Sequence, residues 1–219
     1  MPDRDAIVAA AIDLADKRGL DAVSMRAVAD RVGVTPMALY PHVGSKAALL
    51  DGMVTAILRE LKPPPPTEAT WQNRLVYLAR AGRAMSRRRP WVAMLMFSRP
   101  SIEPDAARVT DAIYQALLDA GVPDAEVPRL ERLVSTFVLG YGASESAGRF
   151  ASGGPDPRGW RGQVPGGPLA AHERLTPRLT SRHDWDQEFE ADLADLQLLI
   201  EAKTRPPRAS AGSEPAPPS

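Results

Sequence analysis

The 219-residue chain contains no cysteine, which excludes disulfides and thiolate metal sites and fits a reducing cytoplasm. It also lacks a net charge: lysine plus arginine and aspartate plus glutamate number 27 each, so nothing in the total draws it to a polyanion. No apolar run is long enough to span a bilayer, and the opening Met1-Pro2-Asp3-Arg4-Asp5 is charged, so neither a signal peptide nor a membrane partner is expected. No nucleophile paired with a base and no carboxylate pair qualifies as a catalytic constellation. Gly153-Gly154-Pro155 and Gly166-Gly167-Pro168 follow no strand, as a phosphate loop would require. His172 and His183 have no clustered carboxylates. An enzyme, a metal site and a cofactor are therefore not expected.

What is there is helical periodicity, which predicts an all-α chain. From Arg4 to Arg18, Ile7, Val8, Ala11, Ile12, Leu14 and Ala15 share one stripe, and Gly19 supplies a stop. Ser24 is an N-cap for a short helix to Val32, and Gly33 makes a turn. Thr35-Pro36 is a second start signal, a capping hydroxyl followed by proline where no amide is needed. Pro41 lacks an amide, so this helix is expected to end near Tyr40. Two short helices joined by a tight turn are the parts of a helix-turn-helix, whose second helix can enter a major groove. Between Arg31 and Leu50 there is no acidic residue, while Arg31, His42 and Lys46 lie in that window.

Ser45 caps the next helix, where Leu49, Leu50, Met53, Val54, Ile57, Leu58 and Leu61 recur as far as Lys62. Four prolines from Pro63 to Pro66 form a stiff connector. Boundaries are therefore expected at 1–45 for a head, 46–62 for a connecting helix, 63–204 for a helical body and 205–219 for a disordered tail. In the body, one stripe carries Trp71, Leu75, Leu78, Gly82 and Met85, before the run Arg87-Arg88-Arg89. That run reads as solvated charges at a helix end, or as a second DNA patch. Trp91 to Phe97 reads as a short buried segment, and Asp105 to Ala120 as a helix with Val109, Ile113 and Leu117 inward. A long helix from about Asp124 to Phe150 carries Gly140, Ser144 and Gly148 at intervals of four, a ridge that permits close helix approach. Ala151 to Pro168 reads as a long mobile loop, and Asp184 to Lys203 as a last helix.

The segment from Arg18-Gly19-Leu20 through Ser24-Met25-Arg26-Ala27-Val28-Ala29, Gly33-Val34, Leu39-Tyr40, His42-Val43, Lys46 and Leu49-Leu50 resembles the DNA-binding head of the TetR family of transcriptional regulators. Pro41 departs from the family's commonest pattern. The resemblance implies a three-helix head joined by a fourth helix to a ligand-sensing, dimerising helical body. It also implies a homodimer on a near-palindromic operator and release by a small-molecule effector, which we expect to be largely apolar. A repressor is the first reading; an activator, or a helical carrier or enzyme with a vestigial head, are the alternatives.

In the head, Ser24 and Arg26 open the second helix, and the forked donors of Arg26 suit the acceptor pair of guanine. Thr35, Pro36 and Met37 begin the recognition helix, where Thr35 can cap, contact DNA, or do both. By position, Tyr40 and His42 resemble the family's backbone-contacting pair, and Lys46 at a helix N-terminus is placed for the adjacent phosphate. In the body, Met94, Phe97, Tyr114, Phe137, Tyr141 and Glu145 are candidates to line an apolar pocket with a few polar handles, though each also suits ordinary core. Glu145, a carboxylate in a small-residue helix, must face solvent, a partner or a ligand.

Overall fold

The computed structural model describes residues 2–65, 68–99, 104–150 and 169–204, and among these the chain is all helix, with no β-strand. Three short helices open it: α1 (Arg4–Arg18), α2 (Met25–Val32) and α3 (Pro36–Val43). Then come α4 (Lys46–Glu60), α5 (Trp71–Arg88), α6 (Val92–Ser98), α7 (Pro104–Asp119), α8 (Val127–Ser146), α9 (Ala170–Leu179) and α10 (Trp185–Thr204). None is long and apolar enough to cross a membrane among the described residues.

Side chains placed at each start satisfy the free amides there. Asp3 accepts from Ala6 N at 2.8 Å, Ser24 from Ala27 N at 3.1 Å, and Ser45 from Ala48 N at 3.1 Å. Gly33 ends α2 in the left-handed region at φ 75°, and the chain turns there with Val34 N bonding back to Ala29 O. The stripe read on α1 is the buried one, with Ile7 and Ala11 fully enclosed. Val28, Leu39, Leu49 and Met53 meet it from the other three helices.

Helix α3 does not stop at Tyr40 but runs through Pro41 to Val43. The ring forgoes one bond, to the carbonyl of Met37, whose residue is 74% exposed. Leu39 and Val43 are both buried, so packing on either side of Pro41 holds the last turn. Gly44 then closes the helix with its amide on Tyr40 O at 2.8 Å.

The head is not sealed off at the proline connector. Its core continues into Met85, Trp91, Val92 and Leu95 of the body. Trp91 Nε1 donates to Asp16 Oδ1 at 2.8 Å, while Arg89 donates to Asp16 at 3.2 Å and to Glu60 at 2.7 Å. A second core joins Leu75 and Leu78 of α5 to Ile113 and Leu117 of α7 and Leu130 and Val134 of α8, with Ile200 from α10.

Helices α5 and α8 approach closely, but not along the expected ridge. A Cβ on Gly82 would lie 2.9 Å from Val138, and one on Gly142 would lie 2.6 Å from Ser86. Gly140 instead clears the ring of Phe97, and Gly148 lies past the helix end at φ 74°. The ridge that matters is set by where α5 crosses, which a spacing of four within one helix does not reveal. Helix α6 is buried on one side only: Val92, Ala93 and Leu95 are inside, whereas Met94 is 59% and Phe97 45% exposed. Helix α8 begins three residues later than expected, at Val127, and ends at Ser146. The segment 151–168 expected as a loop and the tail 205–219 lie outside the described residues.

Candidate nucleic-acid interface and body cavity

On α3 the burial pattern separates two faces. Leu39 and Val43 point into the head, and Met37, Tyr40 and Pro41, spaced three and four apart, are exposed. Pro36 and His42 are half-buried between them. Thr35 occupies the N-cap position, yet its hydroxyl makes no capping bond; the backbone carbonyl of Thr35 takes Ala38 N at 3.0 Å. With Pro36 at the first helical position, one donor fewer needs a partner there. Ser24 does cap, so its hydroxyl is engaged and only half accessible.

Arg26, Thr35 and Lys46 are exposed as well, and among the described residues neither Arg26 nor Lys46 forms an ion pair. The window free of acid in sequence is not free of it in space. Arg31 pairs with Asp13 of α1, which Lys17 also binds at 2.8 Å. The Lys17 hydrogen bond is the chief cause holding the Asp13 carboxyl below its usual range. Arg31 is thereby withdrawn from the free cations of the head.

In the body the polar groups find one another. Arg83, 7% exposed, donates to Glu145 at 2.6 Å, to Asp186 Oδ1 at 2.7 Å and to the carbonyl of Trp185 at 3.3 Å. Its guanidinium lies 4.5 Å from the centre of the Phe189 ring and 5.0 Å from that of Tyr141. Burial works against this charge, but the Glu145 hydrogen bond and the two carboxylates outweigh it and hold Arg83 above its usual range. Tyr141 donates to Trp185 O at 2.7 Å, and burial pushes its phenol up to about 12, with the nearby Arg83 charge as a partial offset. Phe137 stacks on Phe189 at 5.6 Å.

Of the six body residues singled out from sequence, Phe137, Tyr141 and Glu145 thus belong to one aromatic and ionic cluster between α5, α8 and α10. Glu145 faces a partner within its own chain. Met94 and Phe97 lie at the surface, and Tyr114 packs half-buried against the second core. The arginine run is mostly tied down: Arg87 bonds Asp186 at 2.9 Å and Arg89 bonds Asp16 and Glu60, leaving little of a second DNA patch.

A cavity of about 320 Å³ lies elsewhere, and none of the six lines it. Its floor toward the head is Val54 and Leu58 of α4 with Leu61 just past that helix; Leu78, Gly82 and Met85 of α5 form one wall. Val109 and Ile113 of α7 face Val134 and Val138 of α8 across it. Four lining residues are polar: Arg99, Thr110, Glu131 and Ser135. Ser135 donates to Glu131 Oε1 at 2.5 Å on their shared helix. Arg99 reaches out of the wall to α4, donating to Asp51 Oδ1 at 2.7 Å and to the Ala47 carbonyl at 3.1 Å. That Asp51 hydrogen bond holds the Arg99 guanidinium above its usual range. The lining residues of α4, α5 and α7 named above are legible as inward stripes, whereas Ala79, Met96 and Leu139 are not; Arg99, lone after an apolar helix, carries no local signal.

The sequence profile described as bacterial regulatory proteins of the tetR family matches residues 7–53, and that of the tetracyclin repressor-like C-terminal domain matches residues 63–200. An HTH-type transcriptional regulator of Saccharopolyspora erythraea is 33% identical over 146 residues, which are 67% of this chain and 62% of that protein. An HTH-type transcriptional repressor of Streptomyces coeruleorubidus is 32% identical, and the chain spans 61% of its length. A class A tetracycline repressor of Escherichia coli is 30% identical over 67% of this chain and 68% of its own. Among solved structures, the Streptomyces coelicolor TetR family protein ActR in complex with (S)-DNPA superposes with a TM-score of 0.80 at 27% identity, covering 94% of this chain and all of that one. ActR has also been solved in complex with actinorhodin.

Proposed function

The chain belongs to the TetR family of bacterial regulatory proteins, and we propose that it is a homodimeric repressor that leaves its operator when a small molecule fills the body cavity. The observation that carries the reading is the outer face of α3. Met37 and Tyr40 are exposed, the Thr35 hydroxyl has no capping duty, and Lys46 stands unpaired at the start of the next helix. Those are the groups a recognition helix needs at a major groove: Thr35, Pro36 and Met37 toward base edges, and Tyr40, His42 and Lys46 toward phosphates. Arg26 adds a guanidinium from α2. Ser24 takes part as the cap that fixes where α2 begins.

Two heads on one two-fold axis would take the two halves of a near-palindromic site. Leu133 on α8 and Leu198 and Leu199 on α10 are exposed leucines that a second copy would cover, with Leu198 62% exposed. The cavity supports the effector half of the reading, because its mostly aliphatic lining suits a largely apolar molecule and its floor is α4. An effector releases DNA only by preferring one of two head arrangements, and α4 is the element that both sites touch. The names of the relatives are those of regulators and repressors, which supports regulation rather than catalysis.

The test is selection of bound fragments from the source genome, followed by titration of the selected site at two salt concentrations and sizing of the free protein. A single near-palindromic site bound by one dimer, with affinity falling steeply as salt rises, is the expected result. A monomer at micromolar concentration, or no saturable DNA binding, would overturn the proposal.

A further inference from the structure

Among the described residues, polar contacts to Asp16, Glu60 and Asp51 hold α1 and α4 on the body, and of the arginines that make them only Arg99 lines the cavity. Asp16 at the end of α1 is gripped by Trp91 and Arg89, neither of which lines the cavity. Asp51 and the Ala47 carbonyl, within the first two turns of α4 beside Lys46, are gripped by Arg99, which does. Among the described residues, Arg99 is the one basic residue of the lining. The one acidic residue, Glu131, already accepts from Ser135 on its own helix. A ligand in this space meets aliphatic walls, one cation with delocalised donors, the Thr110 hydroxyl and, on α8, the Glu131 carboxylate with its Ser135 donor, so an acidic group is drawn to the Arg99 side of the space and away from Glu131.

We propose that the effector is an amphipathic anion, a compact apolar body bearing one carboxylate or sulfonate, and that its acidic group takes Arg99 away from Asp51 and the Ala47 carbonyl. The inference rests on reading the cavity as the effector site. A guanidinium presents its donors in a fixed fork that matches a carboxylate or sulfonate, so a bound anion competes directly with Asp51 for the same atoms. Release of that tether frees the N-terminal end of α4, where the candidate phosphate contact Lys46 sits, while the Asp16 tether keeps α1 on the body. The head then swings rather than detaches. Reciprocity follows: whatever weakens the Asp51 grip tightens the anion, and the anion weakens the grip by the same factor.

Two fluorescent probes that differ only by the acidic group, anilinonaphthalene sulfonate and phenylnaphthylamine, test this on the full chain without DNA. Wild-type protein should bind the sulfonate about tenfold more tightly than the neutral amine. Arg99→Gln should abolish that preference, and Val109→Trp, which fills the cavity, should remove both probes. If Val109→Trp does not fold, Ser135→Phe fills the same space from α8. Asp51→Asn should tighten the sulfonate by roughly threefold or more and leave the neutral probe unchanged. In the Arg99→Gln background Asp51→Asn should do nothing, which separates competition for Arg99 from a change in the local field. A sulfonate preference that is absent in the wild type, or that survives Arg99→Gln, overturns the anion class. An Asp51→Asn protein with unchanged sulfonate affinity overturns the tether. Because no DNA is present, failure of the operator titration would sink the repressor reading and leave these probe results standing.

Discussion

Tyr40 in the head and Tyr141 in the body lie at opposite extremes of the same chemistry. Tyr40 is 42% exposed on a short helix, while Tyr141 is 6% exposed, with its hydroxyl on a carbonyl and its ring beside a buried guanidinium. The contrast extends to their neighbours. In the head, Arg26, Thr35, Met37 and Lys46 hold side-chain groups that nothing among the described residues uses. In the body, Glu145, Tyr141 and Arg83 satisfy each other. Unmatched polar groups in the head point outward to a ligand, whereas a matched group in the body, such as Arg99, meets one only by giving up its partner, and those partners come from far along the chain.

The sharpest way to break this contrast is to treat Glu145 as a ligand handle and remove it. Glu145→Ala should destabilise the protein by about 2 kcal/mol in denaturant unfolding, less than a fully orphaned buried charge because Asp186 still faces Arg83. If stability is unchanged and only effector binding suffers, the cluster is a site after all. Tyr141→Phe probes the same cluster more gently. It should cost about 1 kcal/mol at neutral pH, the worth of one buried hydrogen bond. The folded phenol titrates at about 12, above its ordinary 10.0. The neutral form's stabilising share is therefore complete below about pH 10 and is lost as pH rises toward about 12. Stability curves of wild type and Tyr141→Phe should accordingly converge and then cross within that window. Curves that stay parallel would mean the hydroxyl is not held as described.

This difference also explains what could be read from the chain and what could not. The helix starts at Ser24, Pro36 and Lys46 and the buried stripes of α1 and α4 depend on residues within a few positions of each other, so local pattern suffices. The partners of Arg83 lie in α8 and α10, and no window of sequence joins them. The same is true of the cavity. Leu78, Gly82 and Met85, with Val109 and Ile113, were legible as inward-facing. Whether inward faces from five helices fill the space they enclose depends on helix positions rather than on periodicity. Helix α9 has only a short stripe, Ala171, Leu175 and Leu179, with Pro177 inside it, and it buries nothing among its described residues, so the local signal is weak. Pro41 misled for the opposite reason: the local rule was correct about the lost bond, and tertiary packing of Leu39 and Val43 overrode it.

The smallest expected stability effects belong to the head, and they sharpen the comparison most because function and stability should separate there. Met37 is 74% exposed and buries little, so Met37→Ala should leave unfolding within about 0.5 kcal/mol of wild type. Its side chain offers only apolar contact, so the loss should appear as a changed base preference at one position of each half-site, read by competition among operator variants. Lys46→Ala supplies the control on the same face. It should weaken all sequences alike, by about fivefold, and reduce the slope of log affinity against log salt by about 0.9 per head. A Met37→Ala protein that loses affinity uniformly, with its base preference intact, would move that residue from the groove to the backbone. A Lys46→Ala protein with an unaltered salt slope would remove the lysine from the phosphate contacts. Either result would redraw which exposed groups of the head are unmatched because DNA matches them.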